Sequence, residues 1–131
     1  MGAFVKTILP PESDIASAVF HAIEFLSNAQ RTFPNYNDMA ENKAYLESIA
    51  RSFGYFFGKN QSVRVNTISQ SPTLTKAGEG VKGLEGFLKY SEKMSPLGNA
   101  TAEDCANYTV MMFSDYTKKV SLQNLYHDGG F

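Results

Sequence analysis

A long helical pattern that leads directly into a β-branched segment constrains this chain more than any other feature. From Tyr36 onward, apolar residues recur at helical spacing and predict a long amphipathic helix. These residues are Met39, Leu46, Ile49, Ala50, Phe53, Phe56 and Phe57. Gly58-Lys59-Asn60 is a stop signal, and Val63 to Ser69 is typical of a strand. A helix followed at once by a strand is one step of an α/β fold with a parallel sheet.

Two further helices and a second strand are predicted beyond this point. The segment from Pro72 to Met94 is rich in glycine, which indicates a mobile loop and a candidate lid, with a short helix at 84–93. Thr101 and Asp104 form a near capping box that predicts the start of another helix. Its buried face is expected to hold Cys105, Thr109, Met112 and Phe113. Val120 to Tyr126 is predicted to be the second strand.

The first 27 residues form a leader whose pattern is less decisive. Ile15, Val19, Ala22 or Ile23, and Leu26 follow helical spacing, so we predict a helix over 14–22. Residues 22–27 fit either the end of that helix or a short strand, because periodicity does not separate the two. Residues 28–131 form the unit that the patterns above describe.

The composition argues against several classes of function. At 131 residues the chain is expected to form one domain, and 12 basic against 13 acidic residues without a basic run predict no nucleic-acid partner. Cys105 is the only cysteine, and His21 and His127 are the only histidines, so no metal site is predicted. The start lacks a signal-peptide pattern and no apolar run approaches membrane-spanning length, which indicates a soluble cytoplasmic protein without a membrane partner.

Tyr36 and Lys43 are the candidate catalytic pair. They are seven residues apart, and at about 100° per residue this spacing puts both on one helix face. A cation close to a phenol lowers the pKa of the phenol. Such a phenol can protonate, or hydrogen-bond to, an oxygen that gains negative charge. The same spacing also occurs by chance on helices, so the pair alone does not identify an enzyme.

Four motifs in order make the interpretation more specific. They are Gln30 to Asn37 with Lys43, then Val63 to Ser69, then Ser95-Pro96-Leu97 ahead of the capped helix, and finally His127-Asp128-Gly129-Gly130-Phe131. Together they resemble the NADH-dependent enoyl-acyl-carrier-protein reductases of the short-chain dehydrogenase/reductase superfamily. The resemblance spans roughly residues 28–131.

The resemblance implies a fold, a cofactor and a reaction. The fold would be a partial Rossmann-like (doubly wound) α/β domain, the C-terminal half of the family's fold, with a parallel strand pair and packing helices. The substrate would be an enoyl-acyl-carrier-protein or enoyl-CoA thioester of fatty-acid biosynthesis, reduced by NADH, which leaves as NAD. Hydride would add to the β carbon, Tyr36 would stabilise the enolate oxygen, and Lys43 would hold the nicotinamide ribose. Further cofactor contacts would be Thr73, Leu74, Thr75, Lys76 and Ala77.

The sequence also departs from the family. The family's second active-site tyrosine falls at Leu26, and the usual Gly-Pro after the strand is Ser71-Pro72. A full member is about twice as long, and its first half holds the glycine-rich cofactor turn and most of the parallel sheet. Because hydride transfer needs the nicotinamide fixed against the substrate, we leave open whether these residues catalyse it alone.

Two functions therefore remain. The chain is a piece or a truncated relative of an enoyl reductase, or it is a non-catalytic homologue that acts by self-association or by pairing with a full-length enzyme. The long helix and the terminal strand are subunit contacts in the family's tetramers, so we expect a homo-oligomer. A ketone or alcohol dehydrogenase of the same superfamily is less favoured, since that group typically has three residues between Tyr and Lys.

Overall fold

The computed structural model describes the backbone of residues 3–6, 19–25, 37–73 and 83–131, with side chains from Asp38 onward in these ranges. The elements in chain order are β1 (Ala3–Lys6), β2 (Val19–Phe25), α1 (Asn37–Gln61), β3 (Arg64–Gln70), α2 (Leu84–Met94), α3 (Ala102–Phe113), a 3₁₀ turn (Asp115–Thr117) and β4 (Asn124–His127). None of the helices in these ranges combines the length and apolar content needed to cross a membrane.

The four strands form one mixed sheet in the order β1-β2-β3-β4. β3 pairs in parallel with β2 on one side and with β4 on the other, from Thr67 opposite Asn124 to Gln70 opposite His127. β1 runs antiparallel to β2 at the edge. The predicted parallel pairing of the two strands that follow α1, which are β3 and β4, is confirmed. β2 adds a third parallel strand that the sequence patterns did not assign.

The predicted helix over 14–22 is wrong where the structure describes that segment. Val19–Phe25 is a strand, and all seven of its residues pair with β3. A strand buried in a parallel sheet has an apolar run that matches helical spacing equally well, so pairing with β3 decides the outcome. Residues 14–18 and 26–27 lie outside the described residues.

α1 confirms the long helix but ends later than predicted. It continues through Gly58 to Gln61, and the chain then turns at Ser62, whose φ is +56°. Glycine lowers the stability of a helix interior by only about 1 kcal/mol, which tertiary packing can offset. Gly58 here is followed by a backbone bond from Val63 N to Phe57 O of 3.3 Å that closes the turn into β3.

The face of α1 that packs against the sheet carries two charged residues and two small ones. Lys43, Glu47, Ala50 and Gly54 are buried on it at intervals of three or four residues. Gly54 lies against Val65 of β3, so the helix axis comes close to the strand. α1 and β3 run antiparallel, because only Ser62 and Val63 connect them.

The predicted apolar stripe of α1 is therefore only partly buried. Phe57 packs against the small core formed by Ala50, Val63 and Val65. Phe53 and Phe56 are 52% and 58% exposed, because they lie to the side of the row that meets the sheet. The aromatic residues thus form an outer surface rather than the centre of the core.

β3 is buried on both faces along its whole length. The side chains of Val65, Thr67 and Ser69 face α1, since Val65 contacts Gly54 and the other two bond to a residue that reaches α1. The intervening residues face α3. At that side Arg64 Nη1 donates to the carbonyl of Thr117 at 2.8 Å, and burial lowers the pKa of this guanidinium.

Both predicted helices after β3 are confirmed. α2 begins after Gly83, whose φ is +83°, and α3 begins at a complete capping box. In that box Asp104 N donates to Thr101 Oγ1 at 3.1 Å and Thr101 N donates to Asp104 Oδ2 at 2.8 Å. Met112 is the buried member of the predicted inner face of α3, and Cys105, Thr109 and Phe113 are half-buried.

β4 begins four residues later than predicted, at Asn124. Val120 to Gln123 instead cross the first residues of β3 as an irregular segment. Leu122 N donates to Val65 O at 2.8 Å, and Asn66 Nδ2 donates to Val120 O at 3.0 Å. Leu122 has a φ of +64°, which a strand residue does not adopt. The β-branched content of this segment could not reveal that its backbone bonds to the first residues of β3.

We expect Gly54→Ala to lower the free energy of unfolding by about 1–3 kcal/mol, because its Cβ would overlap the Leu122 side chain and lie 3.2 Å from Val65 Cβ. Urea denaturation measures the change. Adding Leu122→Ala should reduce the cost of Gly54→Ala, since the overlapping side chain is shortened.

Gly86→Ala on α2 is the matched control, because a Cβ there would meet nothing within 4 Å. Its expected effect is neutral or stabilising by up to about 1 kcal/mol. Similar destabilisation by both glycine substitutions would contradict close packing at Gly54.

Candidate functional site

The carboxyl ends of β3 and β4 form the site at which a ligand is expected in a parallel α/β sheet. Ser71 follows β3 directly and is held by its neighbours. Its amide donates to His127 O at 3.0 Å, and its hydroxyl accepts from Ala100 N at 2.7 Å. Thr73 Oγ1 donates to Ser71 O and to Ala100 O at 3.2 and 3.1 Å. The segment that leaves β3 is thereby fixed against the start of α3.

Lys43 approaches the same edge of the sheet from α1. Along the antiparallel pair, Gly54 lies beside Val65. Glu47 is linked to Thr67 through Asn124, which hydrogen-bonds to both. One further turn toward the start of the helix is about 6 Å, the length of about two strand residues. Lys43 is therefore level with the last residues of β3, and it is only 4% exposed.

The structure describes only part of the predicted site. Lys43 and Thr73 both belong to the carboxyl-end edge of β3. Tyr36 lies outside the described residues, immediately before the first residue of α1, and Leu74, Thr75, Lys76 and Ala77 also lie outside them. The pairing of Tyr36 with Lys43 thus stays a prediction.

A buried polar network beneath Lys43 was missed by the sequence analysis. Asn124 of β4 donates from Nδ2 to Glu47 Oε1 at 2.7 Å. Its Oδ1 accepts from Thr67 Oγ1 at 3.1 Å and from Ser69 Oγ at 3.0 Å. The available signal was Glu47 itself, an acidic residue one turn after Lys43 on a face that must pack against a sheet.

A second cluster occupies the opposite face of the same strand ends. Gln70 Nε2 donates to Cys105 Sγ, and Gln70 Oε1 lies 3.3 Å from His127 Nδ1. The His127 ring stacks on Tyr108 with centroids 4.6 Å apart. Burial raises the pKa of the Cys105 thiol, so it is a poor nucleophile, in agreement with the expectation that Cys105 is a core residue.

The terminal Asp128-Gly129-Gly130-Phe131 motif supports the loops around this edge. Gly129 and Gly130 have φ values of +69° and +91°, and Gly130 N donates to Asp128 Oδ1 at 2.9 Å. A Cβ on Gly129 would overlap the Gly98 carbonyl, so glycine is required there by both conformation and space. Phe131 packs edge-to-face on Phe87 and Tyr90 of α2 at 5.9 and 6.1 Å.

Comparison with known proteins assigns the chain to a family. The profile of the enoyl-(acyl carrier protein) reductase family matches residues 11–131. The chain belongs to this family. The match begins before the four motifs, so much of the leader over residues 1–27 is also family sequence.

The chain covers less than half of the relatives' own length. The enoyl-[acyl-carrier-protein] reductase [NADH] FabI of Salmonella typhimurium is 33% identical over 132 residues, which include 100% of this chain and 48% of that protein. The Bacillus subtilis FabI is 31% identical over 130 residues, 98% of this chain and 49% of that protein. The crystal structure of a FabI–NADH complex from Alistipes finegoldii has a TM-score of 0.83 and 58% identity over 87% of this chain and 40% of that chain.

These matches confirm the predicted partial Rossmann-like α/β fold. The part matched corresponds to the three parallel strands and the helices α1 to α3, together with the site edge described above. Among the described residues, no group of three or more His, Cys, Asp or Glu could hold a metal ion.

We expect the thiolate-dependent alkylation of Cys105 to have a midpoint above the ordinary thiol pKa, because burial raises the pKa in the folded chain. In the unfolded chain the midpoint should return to about 8.5. Iodoacetamide labelling followed by mass spectrometry over pH 7–11, with and without urea, measures both midpoints. A folded midpoint at or below the unfolded one would contradict the burial of the thiol.

Proposed function

We propose that the chain carries the Tyr36 and Lys43 part of an NADH-dependent enoyl-acyl-carrier-protein reductase site, which acts on enoyl-acyl-carrier-protein or enoyl-CoA thioesters in fatty-acid biosynthesis. The observation that supports this best is the burial of Lys43, only 4% exposed, level with the carboxyl end of β3. Lysine is rarely buried unless its charge has a use or a partner. A cytoplasmic location belongs to the same proposal.

The two side chains have different roles in this proposal. One added helical residue before Asn37 would put Tyr36 on the same face as Lys43. The phenol of Tyr36 would hold a proton against the thioester oxygen that gains charge during reduction. The ammonium of Lys43 would keep positive charge beside that oxygen and donate hydrogen bonds to ribose hydroxyl groups.

The described donors fit a dinucleotide at this edge. NADH, when bound, supplies the hydride that reduces the double bond. Lys43 would donate a hydrogen bond to a ribose oxygen. Thr73 is fixed to Ala100 at the end of β3, and we propose that Thr73, Leu74, Thr75, Lys76 and Ala77 contact the cofactor.

We expect Tyr36→Phe to abolish turnover while the protein keeps its fold and its affinity for NADH, since the substitution removes only the hydroxyl. Lys43→Met should lose both turnover and NADH affinity. NADH absorbance with a crotonyl thioester measures turnover, and NADH fluorescence titration measures binding. Tyr116→Phe is the matched control for Tyr36→Phe, because it removes the same hydroxyl from a side chain that is 97% exposed.

Unchanged turnover in Tyr36→Phe would exclude the proposed role of this residue. Absence of both turnover and NADH binding in the unsubstituted chain would instead favour the second candidate function.

That second function is association without catalysis, and the exposed aromatic surface of α1 favours it. Tyr45, Phe53, Tyr55 and Phe56 are all more than half exposed on this one helix. Exposed apolar patches of this kind mark interaction sites. The partner would be a second copy of the chain or a full-length family member, consistent with the homo-oligomer expected from the sequence.

We expect the chain to elute as a dimer or larger oligomer in size-exclusion chromatography with light scattering. The double variant Phe53→Ser/Phe56→Ser should shift it toward monomer, because it removes two large apolar side chains from the surface. Tyr116→Ser is the matched control, since Tyr116 is 97% exposed outside α1. A monomeric parent chain, or equal effects of both changes, would contradict association through α1.

A further inference from the structure

Few charged side chains are buried among the described residues. Only Lys43, Glu47 and Arg64 are charged side chains buried among them. Arg64 lies at the amino end of β3 and faces α3. Lys43 and Glu47 instead share the sheet-facing row of α1, one turn apart, and their exposed fractions are 4% and 7%. Side chains at this spacing have Cβ atoms about 5–6 Å apart.

The Glu47 carboxylate is fixed from two directions. Oε1 accepts from Asn124 Nδ2 at 2.7 Å, and Oε2 accepts from Arg51 Nη1 at 3.4 Å. Asn124 is itself held by the hydroxyl groups of Thr67 and Ser69. Four side chains from α1, β3 and β4 therefore determine where this negative charge lies.

Among the side chains that the structure describes, which exclude those of β2 and therefore Glu24, few other titratable groups face this part of α1. The α1-facing side chains of β3, Val65, Thr67 and Ser69, carry no charge. On β4, Asn124 and Tyr126 face α1, and His127 faces the opposite side, where it stacks on Tyr108. Asp38 and Glu41 of α1 are exposed, and Arg51 is a partner of Glu47. Tyr36, proposed above, lies outside the described residues.

We propose that Glu47 is a positioning residue whose fixed carboxylate keeps the Lys43 ammonium charged and holds it at the carboxyl end of β3. A buried ammonium loses hydration, which favours its neutral form. A carboxylate one turn away opposes this loss, and it does so from a point that the sheet itself fixes. Asn124 thus connects the sheet to the charge of the site. The functional consequence rests on the proposed role of Lys43, but the electrostatic coupling does not.

The test is the titration of Lys43 in the full chain and in Glu47→Gln. Glutamine keeps an oxygen that can accept from Asn124 Nδ2, so the fold is retained while the charge is lost. Protein labelled with ¹³C at lysine Cε is followed by NMR over pH 7–11.5, and the Lys43 signal is assigned with Lys43→Met. We expect the midpoint to fall by about one pH unit or more in Glu47→Gln.

Glu41→Gln is the matched control, because it removes the same charge from an exposed position of the same helix. It should leave the Lys43 midpoint within about 0.3 pH units of the parent chain, as expected for an exposed, solvent-screened charge. Equal shifts in the two variants, or no shift in Glu47→Gln, would overturn the proposal. If the Lys43 midpoint falls as expected in Glu47→Gln but the unsubstituted chain does not bind NADH, the coupling stands and the proposed function is rejected instead.

A second variant tests the same coupling without removing either charge. Asn124→Ser takes away the amide that donates to Glu47 Oε1, so the carboxylate is no longer held by the sheet and the Lys43 midpoint should fall. An unchanged Lys43 midpoint in Asn124→Ser would equally overturn the proposal.

Discussion

The antiparallel packing of α1 on β3 is the constraint on which the rest of the structure depends. The absence of a side chain on Gly54 lets the helix lie close to Val65, and the bond from Asn124 to Glu47 holds its other half against the same strand pair. This packing carries Lys43 to the carboxyl end of β3. A helix displaced outward by one methylene layer would break the 2.7 Å bond to Glu47 and move the ammonium away from the sheet edge.

The interface between α1 and the sheet is polar, whereas most protein cores are apolar. Burying these polar groups costs free energy. Burying Glu47 and Lys43 loses hydration that only well-placed partners recover. Asn124 supplies such partners, because its amide donates to Glu47 while its oxygen accepts from Thr67 and Ser69. Removing one member of such a network leaves the others buried without partners, which makes the position of the charge specific.

The opposite face of β3 contacts both ends of α3. Arg64 binds carbonyl groups beyond the end of α3, and Gln70 connects to Cys105 at the start of that helix. These contacts keep α3 at a constant height against β3, so that Ala100 can hold Ser71 and Thr73 at the strand end. The face of β3 toward α1 thus positions Glu47 through Asn124. The face toward α3 positions the backbone that follows the strand.

Local chemistry in the sequence was enough for α1, β3 and α3, because helical spacing, β-branched content and a Thr101–Asp104 capping box act within a few residues. The motif around Lys43 also indicated the family, and the role of Lys43 itself stays a prediction. Tertiary structure decided the rest. Val19–Phe25 is a strand because β3 pairs with it, and β4 starts at Asn124 because the preceding backbone bonds to Val65 and Asn66. The Glu47–Asn124 bond joins residues 77 positions apart, and no local pattern can predict a contact that only the packed sheet brings about.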